Sequence, residues 1–158
     1  MSRGAFGGAT DAGSRKYDLA IDLLHNKGPG AIQIVGATPH INGRLKFDGA
    51  FLLASTTNNP GGGIADAPFP LRSGESLTPI TSSRPPIIKQ GGKQFLVVRV
   101  NIPNGKMAGE AVSVVVHYRS GGHQYSTSYG VGVVLCRAKF VDGACGSIKD
   151  PTGGTTNS

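Results

Sequence analysis

The sequence predicts a mainly β domain, and three observations carry that prediction. Two neighbouring stretches, residues 93–103 (KQFLVVRVNIP) and 110–119 (EAVSVVVHYR), alternate with a period of two and are dense in β-branched residues, the pattern of half-buried strands. Gly (25) and Pro (10) are plentiful among 158 residues while Trp is absent. Only 16% of residues are charged, a profile that suits turn-rich β structure better than a helical bundle.

Taken in order, residues 1–16 are rich in Gly, Ser and Ala and read as a flexible arm. Residues 17–150 read as a single domain, long enough to bury a core, and 151–158 as a polar tail. Tyr17, Leu19, Ile21 and Leu23 alternate with Asp18, Ala20 and Asp22, which predicts a strand. A turn at 25–30 (HNKGPG) then leads to a returning strand at 31–35 (AIQIV), so the pair reads as a hairpin. Asn42-Gly43 is another turn, and 44–55 (RLKFDGAFLLAS) offers one strand, or two broken at Gly49.

Residues 56–70 (TTNNPGGGIADAPFP) read as a long loop. Their three consecutive glycines are followed by neither Lys-Ser/Thr nor a helix, so no phosphate loop is expected. Residues 76–83 (SLTPITSS) read as a strand that Pro79 weakens and so makes edge-like or bulged. Two central strands follow. Leu96, Val98, Val100 and Ile102 on the first, and Val112, Val114 and Val116 on the second, form the expected packing face. The six residues between them, 104–109, include two Gly, so these strands read as a long hairpin.

Beyond a break at Ser120-Gly121-Gly122 the signal divides. Dense Val and two Gly favour a strand at 129–135. Tyr125, Tyr129, Val133, Cys136 and Phe140, spaced by three and four, fit a helix instead.

No run of eighteen apolar residues exists, so no transmembrane helix is expected. The first residues lack the apolar core of a signal peptide. Either Met1 is native and the protein is made in a cytoplasm, or a signal was removed. The net charge is +7. Residues 67–141 hold nine bases and only two acids, Glu75 and Glu110, and so carry the whole excess. A folded basic surface of this kind favours polyanions, nucleic acid first.

Catalytic motifs are missing, with no paired carboxylates, G-x-S-x-G or H-E-x-x-H, so an enzyme is not expected. His117 and His123 would ligate a metal only if a hairpin brought them together, and neither a metal nor a cofactor is expected. Cys136 and Cys145 lack partners at zinc spacing and read as free thiols, one local disulfide, or a bridge between subunits. Binding is better supported. Lys93, Arg99 and Asn101 on the first central strand, and Ser113, His117 and Arg119 on the second, lie on the less apolar parities. If the two strands are neighbours these residues form one polar, basic face suited to phosphate and base-edge contacts.

With these residues in this order, the chain resembles the coat proteins of small single-stranded RNA bacteriophages. Residues 21–35 look like that family's first hairpin, 93–103 its penultimate strand, 104–109 the loop at the shell's symmetry axes, and 110–119 its last strand. The tail containing VDGACGSIKDP would supply its helical pair. The resemblance implies an α+β fold, in which an N-terminal hairpin and an antiparallel meander precede a C-terminal helical segment that packs on a dimer partner. It further implies a viral structural protein, found in the virion and made in the host bacterial cytoplasm. Homodimers would assemble into an icosahedral shell and bind single-stranded RNA through Arg99, Asn101, Ser113 and His117 on the inner sheet face, without contact to a membrane.

An alternative takes the last segment as a strand. The chain is then an all-β sandwich, an extracellular immunoglobulin-like binding or adhesion module of a bacterial surface protein, with Cys136 and Cys145 bridged and residues 1–16 as a linker.

Overall fold

The structure is a computed structural model that describes residues 6–10, 16–43, 45–54, 64–101 and 109–137. It is mainly β, with no helix among the described residues. Ten strands follow in order: β1 (Phe6–Thr10), β2 (Lys16–His25), β3 (Ile32–Gly43), β4 (Lys46–Ala54), β5 (Ile64–Asp66), β6 (Ser76–Pro79), β7 (Ile87–Ile88), β8 (Lys93–Asn101), β9 (Gly109–Ser120) and β10 (His123–Arg137). They form two five-stranded sheets, β1-β10-β9-β3-β7 and β5-β2-β8-β4-β6. Every pairing is antiparallel except that of β1 with β10.

The two sheets share one core. Leu19, Leu52, Leu96, Val98 and Val100 come from the second sheet, and Ile34, Ala111, Val114 and Val116 from the first. The predicted packing residues of β8 and β9 therefore point inward, with two exceptions. Ile102 lies outside the described residues. Val112 is half-buried because the pairing of β9 slips at this point on both sides, between His40 and Ile41 and between Gly130 and Val133. The slip hands the buried place to Ala111, which is 1% exposed. Such a slip reverses which residues face in.

Both expected hairpins are corrected. β2 pairs with β5 and β8 while β3 pairs with β7 and β9, so the turn at 26–31 crosses from one sheet to the other. β8 and β9 likewise lie in opposite sheets and meet face to face through their apolar parities. A period of two determines which side chains point inward. It does not distinguish a neighbour beside the strand from one across the core. A meander is consequently absent from the described residues, and the only consecutive strands that pair are β9 and β10.

Three further outcomes concern single elements. Residues 44–55 contain one strand, β4, bent at Gly49, whose φ of 123° only glycine adopts readily. β6 is an edge strand as expected, but it spans only Ser76–Pro79 and stops at the proline instead of running on to Ser83. The stretches read as arm and loop contribute β1 and β5. For the divided last segment, residues 123–137 are strand rather than helix. Pairing with β9 and β1 gives this Gly- and Val-rich run the backbone partners that a helix would have had to find within itself. The rest of the expected helical pair, Cys145 and the tail at 151–158 lie outside the described residues.

Candidate functional site

The six residues expected to form one basic face are divided between two. Leu96, Val98 and Val100 point into the core, so Lys93, Arg99 and Asn101 lie on the outer surface of the second sheet. Ser113, His117 and Arg119 lie on the outer surface of the first, opposite to Val114 and Val116. The sandwich stands between the two sets, so no single flat ligand spans both.

On the second sheet the outer surface is itself partly covered. Val97 and Leu53 are fully buried beneath Phe69, with Phe51, Leu77 and Phe95 packed against them. Asp18 is 0% exposed in this layer and accepts from the Phe69 backbone N–H at 2.7 Å. Arg99 reaches it from the neighbouring strand, donating Nε to Oδ1 at 2.7 Å and Nη2 to Oδ2 at 2.8 Å. Its guanidinium also lies 4.4 Å from the ring centre of Phe51. The Asp18 bond raises the Arg99 pKa further above its already high ordinary value, against the opposing effect of burial. Asn101 keeps a buried Oδ1 that has no hydrogen-bond partner among the described residues. Lys93 is exposed.

On the first sheet His117 Nε2 lies 3.1 Å from Thr38 Oγ1. Around it, cross-strand pairing places Gln33 and Gln124 beside Arg119, Ser126 beside His117, and His40 beside Ser113. None of these residues is acidic. His123 pairs with Ser120, which puts it on the opposite face from His117, so the two imidazoles do not converge. No group of three or more metal-ligating side chains occurs among the described residues.

A concave site exists elsewhere, at the end of the sandwich where the 26–31 loop and the β9–β10 turn meet. The loop is held by Asn26, which is 4% exposed. Its Nδ2 donates to Gly30 O at 2.8 Å and to Ile88 O at 3.0 Å, and its Oδ1 accepts from Gly28 N at 3.1 Å. Its backbone exchanges bonds with the 89–92 turn, donating to Gly92 O at 3.0 Å and accepting from Gly91 N at 2.8 Å. A Gly-Pro-Gly loop would otherwise be loose. Tied at five points, it is a preorganised rim.

Beside this rim opens a cleft of about 350 Å3, within the range of small-ligand sites, roughly 300–1,000 Å3. Its floor includes Ile34 and Val116, and its rim includes His25 and Lys27. Three tyrosines line one wall. Tyr118 and Tyr125 are opposite residues on β9 and β10, and their rings stack with centroids 5.4 Å apart and planes 22° from parallel. Tyr125 remains 47% exposed. Tyr129, two positions further in from Thr127, is half-buried. Burial, with smaller contributions from Asp22 and Tyr118, raises its phenol above the ordinary 10.0, and a hydrogen bond with Thr127 opposes the rise.

No protein-family model matches the chain, and no curated protein matches it significantly.

The tyrosine wall has a signal in the sequence, but an ambiguous one. Tyr125 and Tyr129 also fit helical spacing, whereas in a strand Tyr125, Thr127, Tyr129 and Val131 share a face. Asn26 stood in a recognised turn, but the residues it clamps, as distant as Ile88, become neighbours only through the crossover between sheets.

Proposed function

We propose that the protein is an immunoglobulin-like binding module, acting outside the cell that makes it, with its ligand site at the loop end of the sandwich. Strand order is the observation that carries this reading. β2-β8-β4 in one sheet and β3-β9-β10 in the other reproduce the B-E-D and C-F-G arrangements of immunoglobulin folds. The 26–31 loop and the β9–β10 turn then correspond to the B–C and F–G loops, which present ligand-binding residues in variable domains. Fold analogy does not identify a ligand. The clamped loop and the tyrosine cleft add a physical reason to place binding at this end, since rigid aromatic side chains offer contact area at low entropic cost.

A coat subunit is the second reading, favoured by a different observation. The outer face of the first sheet gathers His40, Ser113, His117 and Arg119 with Gln33, Gln124 and Ser126, all without acidic character. In that reading the face meets single-stranded RNA inside a shell of homodimers. Neither reading assigns the protein a catalytic role or a cofactor.

Expression in bacteria, followed by size-exclusion chromatography, electron microscopy and the 260/280 nm absorbance ratio, separates the two. The module reading expects RNA-free protein that forms no particles. RNA-filled particles would overturn it in favour of the coat subunit.

A further inference from the structure

We infer that the tyrosine cleft binds a neutral saccharide, with a sugar ring laid on Tyr125; this deepens the binding-module reading and rests on it. A pyranose has a flat face of C–H groups and a perimeter of hydroxyls. It needs an exposed aromatic ring bordered by uncharged hydrogen-bonding groups. Tyr125 supplies the ring, backed by Tyr118 at 5.4 Å and 47% exposed. Thr127, Ser120 and the Tyr129 hydroxyl supply neutral donors and acceptors along the same wall.

Charge and ring geometry exclude the other obvious occupants. Among the described residues Lys27 is the only lysine or arginine lining the cleft, and Asp22 lies close enough to Tyr129 to raise its pKa. This near balance gives a polyanion little to hold, because phosphate recognition depends on several cations together. A quaternary ammonium group is held by rings that face it from several sides. Here Tyr118 and Tyr125 face each other instead. A purely apolar ligand would leave the hydroxyls of the wall without partners. The rim is also already rigid, since Asn26 holds the 26–31 loop before any ligand arrives, so little ordering remains to be done on binding.

The test is affinity electrophoresis of the full chain through gels containing soluble neutral polysaccharides (a β-glucan, a galactomannan, a xylan). Titration calorimetry with the matching oligosaccharides follows, and a single-stranded oligonucleotide serves as the control probe. At least one neutral polysaccharide is expected to retard the protein, with an affinity that changes little between about 50 and 500 mM salt, unlike a polyanion contact. Tyr125→Ala is expected to weaken binding at least tenfold with an unchanged circular dichroism spectrum, and Tyr125→Phe to retain most of it. Retardation by none of the polysaccharides overturns the inference, as does binding that Tyr125→Ala leaves intact. Preference for the oligonucleotide, with a steep salt dependence, overturns it as well. An RNA-free protein that binds no saccharide would sink this inference while leaving the module reading in place.

Discussion

Asp18 and Arg99 sit directly opposite each other on β2 and β8 and join through two charge-assisted bonds, at 2.7 and 2.8 Å, on the outer side of the second sheet. The carboxylate is fully buried and also accepts from Phe69, so this pair anchors the covering segment as well as linking two strands. Arg99 is thus occupied within the fold. Arg99→Ala should lower stability by about 3–5 kcal/mol, since it strands a buried carboxylate. Asp18→Asn with Arg99→Met should cost less than Arg99→Ala alone. Urea denaturation measures both. If Arg99→Ala instead left the stability unchanged and flattened the salt dependence of RNA binding, Arg99 would return to an RNA site.

Asn26→Ala removes three side-chain bonds that fix the rim of the cleft. At roughly 0.5–1.5 kcal/mol each, the expected loss is about 2–4 kcal/mol by chemical denaturation. Asn26→Asp retains the acceptor for Gly28 but forfeits both donor bonds, and should be damaged nearly as much. Amide hydrogen exchange should locate the new mobility at residues 26–31 and 89–92.

The turn joining β9 to β10 depends on Gly121 and Gly122, whose φ values are 55° and 81°. A two-residue hairpin with positive φ at both positions is the Asn-Gly type. Gly122→Val should therefore cost about 1–2 kcal/mol or more, while Gly121→Asn should be close to neutral in thermal melts. A melting temperature unaffected by Gly122→Val would mean that the turn does not hold this geometry in solution.

Tyr129 carries a pH signature. Its phenol is raised above 10.0 in the folded state, so the folded chain holds that proton more tightly than the unfolded one. The resulting stability is fully present below pH 10 and is lost as pH rises through the folded-state value. An absorbance titration near 295 nm should show a tyrosine component that ionises above the ordinary 10.0. Tyr129→Phe should remove that late component. A titration unchanged by this substitution would refute the assignment.

Much of the strand content was legible in the residues. Alternation marked β2, β8 and β9, and Pro79 marked β6 as an edge strand, although the strand stops there instead of continuing to Ser83. Dense Val at 129–135 pointed to strand while the spacing of Tyr125 and Tyr129 fitted a helix, and only pairing with β9 and β1 decides for strand. Short strands such as β5 were hidden because three residues carry too little periodicity to stand out from a Gly- and Pro-rich loop.

The candidate site was far less legible. Arg99 and His117 share the same kind of alternating position, and nothing in the alternation says that they face opposite ways from a shared core. By itself, the sequence determined which side chains are greasy enough to turn inward, because a period of two is a property of each strand alone. Only the tertiary structure decided which strands lie side by side and which face one another across the core. That choice depends on where the 26–31 crossover and the β8–β9 connection carry the chain. It splits the basic residues between two surfaces, joins Asp18 to Arg99, and brings Asn26, Tyr118 and Tyr125 to the same end.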